Sequence, residues 1–186
     1  MGSSWSFSSR LHTPLCDLLD IRYPLVQAPM AGGWTTPELV SAVCEAGGVG
    51  VLAGARISPQ RLQEDIRAVK ARTNRPFGVN FLLAPPEQGG GDVATVQRFL
   101  DGFREELGLA PGETALSLPS WPLQEQLEVV FEEGVAVLSL AMGDPGELFE
   151  RAHEEGMSTI AMVTSVEEAV LVAERGTNMV YPPNYQ

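Results

Sequence analysis

The sequence predicts an α/β fold built on a parallel sheet, and three observations carry that prediction. Short apolar runs with no helical period alternate strictly with segments of helical period. The units recur roughly every 25 residues along the 186-residue chain. Several helices open by the same device, a Ser or Thr cap with Pro beside it. Strands alternating with helices imply right-handed crossovers and parallel pairing. Five such units, one of them enlarged, permit two architectures. One is a doubly wound sheet; the other is part of a (β/α)8 barrel, which typically takes about 250 residues.

The first unit organises the rest. Leu25, Val26 and Ala28 form an apolar run between Pro24 and Pro29. A strand covered on both faces reads this way, and Pro29 cannot donate to a ladder, so the strand ends near it. Gly32 and Gly33 follow, then Thr35-Thr36-Pro37-Glu38. Thr35 as cap, Pro37 in the first turn and Glu38 three residues after the cap predict a helix start. The loop between lies at the C-terminal end of its strand, where α/β proteins place ligands.

The remaining elements follow in order. Helix one covers about Pro37 to Ala46 with Leu39, Val43 and Ala46 on one face, and Gly47-Gly48 stops it. Val49 to Leu52 is strand two. Ser58-Pro59 opens helix two, whose Leu62, Ile66 and Val69 point inward. Phe77 to Leu83 is strand three, with Asn80 in its middle. Pro85-Pro86 and Gly89-Gly90-Gly91 mark a loop. Val93 to Leu107 is a helix with Val96, Phe99, Leu100, Phe103 and Leu107 on one face. A second helix runs from Leu123 to Glu133, with Leu127, Val130 and Phe131 on one side. Val135 to Ala141 is strand four, and Asp144 is the expected cap of helix four. Ser158 to Val163 is strand five. Ser165-Val166-Glu167-Glu168 is a capping box opening helix five, which Gly176 ends. Asn178 to Tyr181 begins a sixth strand that Pro182-Pro183 cuts off.

Composition narrows the partners. The formal charge is −12, and phosphate backbones need clustered Lys and Arg, so nucleic acid is excluded as an expected partner. Hydrophobic residues make up 44% and mean hydropathy is +0.02, ordinary for a globular domain. No apolar run approaches the roughly 20 residues that span a bilayer, so no membrane is expected. Cys16 and Cys44 match no metal or redox spacing and read as reduced structural thiols of a cytoplasmic protein. Met1 to Ser6 fits a loose myristoylation pattern without a polybasic patch to support it, and the segment reads as a flexible lead-in.

Certain of these residues carry a resemblance. Pro24 to Gly32 (Pro-Leu-Val-Gln-Ala-Pro-Met-Ala-Gly), the Gly47-Gly48-Val49-Gly50 turn, Pro76-Phe77-Gly78-Val79-Asn80-Phe81, and Ile160 to Val163 with Ser165 to Ala169 are similar to the nitronate monooxygenases, formerly 2-nitropropane dioxygenases. The likeness spans about Leu15 to Gly176. It implies a partial (β/α)8 barrel with FMN at the C-terminal ends of the strands. The implied activity is oxidation of alkyl nitronates or nitroalkanes by O2 to a carbonyl compound and nitrite. Ala28, Pro29 and Met30 match the segment along the flavin ring, and Asn80 matches an Asn that hydrogen-bonds the flavin. That chemistry suits them, because a flavin edge needs fixed amide donors and acceptors.

The departures shape the expectation. The family's sixth strand ends in Gln-Gly, followed closely by Glu-Ala-Gly-Gly-His with the catalytic base. Here Thr-Asn-Met-Val-Tyr-Pro-Pro-Asn-Tyr-Gln follows Gly176, and neither His12 nor His153 matches that position, so no catalytic residue is assigned. The phosphate-binding loops after strands seven and eight are not matched either. The expected organisation is a lead-in at 1–14, a truncated FMN-type barrel domain at 15–176 and a divergent tail at 177–186. A non-catalytic, partner-binding half-barrel and an FMN-dependent enoyl-thioester reductase are the alternatives. Open sheet edges make a homo-oligomer expected.

Overall fold

Six strands lie side by side in chain order, all parallel: β1 (Val26–Gln27), β2 (Val49–Ala53), β3 (Gly78–Leu82), β4 (Val137–Ala141), β5 (Ser158–Met162) and β6 (Met179–Tyr181). The computed structural model describes residues 11–83, 92–112 and 121–181. They fall into two units, 11–83 with 121–181, which holds the sheet, and 92–112. Strand order 1-2-3-4-5-6 belongs to a half-barrel wall; a doubly wound sheet reverses direction part-way. The sixth strand lies within the 178–181 segment where the sequence begins one. It is short because Pro182, with no N–H, follows it.

Register assigns each strand residue to a face. Val79 and Phe81 on β3, Leu138 and Leu140 on β4, and Ala161 on β5 face outward. They pack with α2 (Pro37–Glu45), α3 (Pro59–Lys70), α5 (Leu123–Glu132), α6 (Leu148–Glu154) and α7 (Val166–Glu174) in one core. Leu62, Ile66 and Val69 of α3 and Leu127 and Val130 of α5 are buried there, as their helical spacing predicts. The inner face is covered at the N-terminal ends of the strands by α1 (Pro14–Leu19). Its Cys16 and Leu19, with Ile21, meet Val49, Val137 and Ile160. Cys16 and Cys44 are both free and buried. Cys44 Sγ faces Pro76 O and Gly50 N, each at 3.3 Å, and burial pushes its thiol pKa up.

Three local expectations change. The α2 cap is Thr36, whose Oγ1 accepts from Leu39 N at 3.2 Å; Thr35 accepts from Met30 N at 2.7 Å. The helix starts at Pro37 as expected, but its buried face holds Val40 and Cys44, with Leu39 and Val43 half-buried and Ala46 exposed. Asp144 does not cap α6. Its Oδ1 accepts from Gly146 N at 2.9 Å in a turn, and the helix starts at Leu148. Ser165 does cap α7, but Glu168 reaches back to Thr164 N at 2.5 Å, one residue before the position a capping box specifies.

In the other unit, α4 (Val93–Glu106) opens at Asp92, which accepts from Thr95 N, and Phe99 meets Phe103 edge-on at 5.2 Å. The Pro85-Pro86 and Gly89–Gly91 loop, the lead-in to Arg10 and the end of the tail from Pro182 lie outside the described residues.

Candidate functional site

Asn80 is the polar centre of the inner face. It sits mid-strand on β3, 7% exposed, in register with Ala53 on one side and Ser139 on the other. Ser139 Oγ donates to Asn80 Oδ1 at 2.8 Å, and Gly54 N donates to the Asn80 carbonyl at 2.9 Å. Burying an amide without partners is costly, and these bonds meet that cost for its oxygens. Asn80 Nδ2 has no hydrogen-bond partner among the described residues. Tyr181 lies at the end of β6, and burial raises its phenol's pKa.

Ala28, Pro29 and Met30 leave β1 at its C-terminal end. Val26 pairs with Val49, and Ala53 pairs with Asn80, so continuing the register by four residues puts Met30 on the level of Asn80. Two strand spacings, about 10 Å, separate β1 from β3. Ala28 and Met30 are exposed, and the Thr35 hydroxyl holds the Met30 amide. Gln27 Nε2 donates to the Ala28 carbonyl, while its Oε1 is a buried acceptor without a partner among the described residues.

This C-terminal end of the sheet carries an apolar rim. Met30 and Trp34 after β1, Leu82 at the end of β3 and Met142 after β4 are all exposed. Met142 adopts φ +62, a left-handed backbone that a non-glycine residue adopts at a cost of about 1–2 kcal/mol. Gln126 of α5 braces the same end. Its Nε2 donates to Gly54 O at 2.8 Å and Ile57 O at 2.7 Å, fixing the loop after β2. Sequence reasoning passed over both: Ser139 is one small polar residue in an apolar strand, and Gln126 lies among other polar residues on a helix, Gln124, Glu125 and Glu128.

A cleft of about 600 Å³ opens at the opposite end, among Leu19, Lys70, Arg75, Phe77, Gly134 and Ser158. The C-termini of α3, α5 and α6 converge there, and their partial negative charge disfavours an anionic ligand. Lys70 is held by the Glu133 side chain, 3.6 Å away, and by its carbonyl. The two histidines do not reach the C-terminal end. His12 pairs with Asp17 at 2.9 Å beside α1. His153 meets Thr159 Oγ1 at 3.0 Å and Asn178 Oδ1 at 3.1 Å, where β5 and β6 begin. Among the described residues no group of three or more His, Cys, Asp and Glu side chains is arranged to hold a metal. No helix among them is long and apolar enough to cross a membrane.

A family model described as nitronate monooxygenase matches residues 12–181. The chain belongs to the nitronate monooxygenase family. A probable nitronate monooxygenase of Staphylococcus saprophyticus is 31% identical over 178 residues, covering 92% of this chain and 48% of its own length. A nitronate monooxygenase of Paraburkholderia phytofirmans is 31% identical over 172 residues, covering 89% and 46%. Among solved structures, nitroalkane oxidase from Streptomyces ansochromogenes superposes with TM-score 0.72 at 32% identity, over 90% of this chain and 47% of that one. FabK from Thermotoga maritima gives 0.67 at 27%, over 91% and 43%. The chain thus spans about half the length of the relatives it matches. Membership places it in an oxidoreductase family with a half-barrel corresponding to part of the relatives' fold.

Proposed function

We propose that these residues form the ring-side part of an FMN site in an oxidoreductase that, with O2, turns alkyl nitronates into a carbonyl compound and nitrite. The observation that carries this reading is Asn80: a buried amide whose oxygen accepts from Ser139 and whose NH2 has no partner among the described residues, on the inner face of the sheet. Ala28 and Met30 are exposed after β1, and Met30, Leu82 and Met142 supply apolar surface for a flat aromatic ring. The donor set fits a flavin: Asn80 Nδ2 would donate to a ring acceptor, and Ala28, Pro29 and Met30 would line the ring. FMN, when bound, supplies the electron-accepting ring. What the chain contributes is orientation and exclusion of water from one side. Neither described histidine is placed to take a substrate proton, so that step rests on residues other than His12 and His153.

An enoyl-thioester reductase of the same barrel type is the second reading, favoured by the likeness to FabK. The test separates ring from phosphate. Lumiflavin carries the ring and no phosphate, and the phosphate loops of such barrels follow strands seven and eight. Titrated into the 186-residue polypeptide, lumiflavin and FMN are expected to quench saturably, with affinities within about threefold of each other. Neither flavin saturating would overturn the ring site. In full-length protein with this segment, nitrite release from an alkyl nitronate decides for nitronate oxidation, and NADPH-dependent reduction of an enoyl thioester decides for the reductase.

A further inference from the structure

We propose that α4 is a self-association surface, its apolar face pairing antiparallel with α4 of a second copy of this chain. The proposal is independent of the flavin reading. The β3–β4 crossover carries two helices where every other crossover carries one, and α5 is the one buried against the strands. With α2, α3, α6 and α7 packed in the same core, each of the five crossovers already supplies a covering helix. α4 itself has no buried residue. Its polar groups are satisfied within its own unit. Asp101 Oδ1 accepts from Gln97 Nε2 and from Gly112 N, both at 2.7 Å, and Arg104 Nε donates to Ala110 O at 2.6 Å. What remains to be covered is apolar.

Val93, Val96, Leu100, Phe103 and Leu107 follow one another at intervals of three and four, the a and d positions of a coiled coil. Phe99 lies beside this seam and meets Phe103 edge-on. All six are exposed, from 46% at Leu100 to 74% at Leu107. At roughly 150–200 Å² per large side chain, they leave about 600 Å² in solvent, the upper end of what an ordinary monomer shows in one patch. A second identical seam doubles the buried area to about 1,200 Å², which reaches the range of stable specific interfaces. The seam is also self-complementary. A two-fold axis through Leu100 sets Val93 of one helix opposite Leu107 of the other, small against large, with Leu100 at the centre. Antiparallel pairing places opposite ends of the two helix dipoles side by side. Charge disfavours a lipid surface instead. Helices that lie on membranes carry a polar face rich in Lys and Arg, whereas here Arg98 and Arg104 are outnumbered by Asp92, Asp101, Glu105 and Glu106.

Introduced cysteines read this arrangement in the whole polypeptide at physiological salt. Cys16 and Cys44 are buried, so an added surface cysteine is the reactive one. A bis-maleimide spanning about 10 Å, the separation of packed helix axes, is expected to link Leu100→Cys to itself. Val93→Cys should not link to itself, because antiparallel pairing puts the two Val93 positions about 20 Å apart along the axis. It should link to Leu107→Cys when the two variants are mixed. A charge in the seam gives the second readout: Leu100→Glu should raise the dissociation constant in sedimentation equilibrium about tenfold or more, with the thermal melt unchanged. Val180→Lys, on a sheet edge, should leave the Leu100→Cys link intact. No link through Leu100→Cys, or self-linking of Val93→Cys, overturns the proposal. So does a Leu100→Glu chain that keeps the wild-type dissociation constant, since association then runs through the edge strands alone. A monomeric wild type whose melting temperature falls in Leu100→Glu overturns it too, and shows that α4 covers its own chain. Flotation with phosphatidylcholine vesicles that Leu100→Glu abolishes, without any Leu100→Cys link, assigns the seam to a lipid surface and overturns pairing. Should Leu100→Glu lose the circular dichroism of a folded protein, the three cysteine variants decide.

Discussion

Gln126 carries more of the site's geometry than its place on a helix suggests. One amide nitrogen satisfies two carbonyls of the loop after β2, Gly54 O and Ile57 O. Removing it leaves a buried acceptor at Gly54 and a half-buried one at Ile57. Gln126→Ala is therefore expected to lower unfolding free energy by about 2 kcal/mol in urea denaturation, at unchanged m-value. A loss under about 0.5 kcal/mol would mean that water replaces the amide. Met142 poses the opposite case. Its left-handed backbone costs stability that a glycine does not pay, so Met142→Gly should stabilise by about 1 kcal/mol. If the rim contacts the ring, the same variant weakens lumiflavin binding, and the two effects part company. Tyr181 gives a pH signature. Its folded pKa is raised, so the stability it contributes is complete below the ordinary tyrosine value and is lost as pH rises through the folded value. The phenolate absorbance of wild type minus Tyr181→Phe should accordingly titrate above the ordinary range.

At the scale of the element, the strands were legible because a sheet buried on both faces needs apolar residues without interruption, as at Val49 to Leu52 and Val137 to Ala141. The helices of α3 and α5 were legible because their buried faces repeat at helical spacing. Caps were less so. Thr35 and Thr36 are chemically alike, and only the fold decides which meets Leu39 N and which meets Met30 N. Asp144 had a local turn open to it that competes with capping. Asn80 stood out as a polar residue inside an apolar strand, but its partner Ser139 is 59 residues away, a pairing that only strand register creates. β6 is the element most dependent on such distant contacts. It pairs with β5 at three positions, against five between β3 and β4. Asn178 pins its start: Oδ1 accepts from Thr159 N at 2.8 Å and lies 3.1 Å from His153 Nε2, and Asn178 N donates to Thr159 Oγ1 at 3.0 Å. Asn178→Ala should therefore release β6 first. Hydrogen exchange would show lost protection at Val180 and at Val163, whose N–H donates to Tyr181 O, with Val79 and Leu138 unchanged. Uniform loss across the sheet would show instead that β6 unfolds only with the whole.

At the scale of the whole chain, the sheet-bearing unit ends in two edge strands, β1 and β6. β1 pairs on one side through two residues only, and β6 on one side through three. Edge strands present unpaired N–H and C=O groups, which template pairing with another chain unless charge, proline or a covering element blocks them. Pro24 and Pro29 flank β1 and blunt it. β6 has no such residue before Pro182, and Val180 at its centre is 36% exposed. Apolar surface adds to this: Leu25 is 64% and Trp34 75% exposed, near the β1 edge and the C-terminal rim. The charge of −12 opposes association at low ionic strength and does so less as salt screens it within about 8 Å at physiological strength. These two effects set the prediction. The 186-residue polypeptide should sediment as oligomers or larger species at physiological salt and shift toward monomer as salt is lowered. Lumiflavin, if it occupies the rim, covers part of the apolar surface and should shift the distribution the same way. Replacing Val180 by Lys puts a charge on the β6 edge strand, on the face away from Asn80, and should raise the monomer fraction without altering lumiflavin affinity. A sharp, salt-independent monomer peak for the unmodified polypeptide would show that the edges are already protected and would remove the physical case for a homo-oligomer.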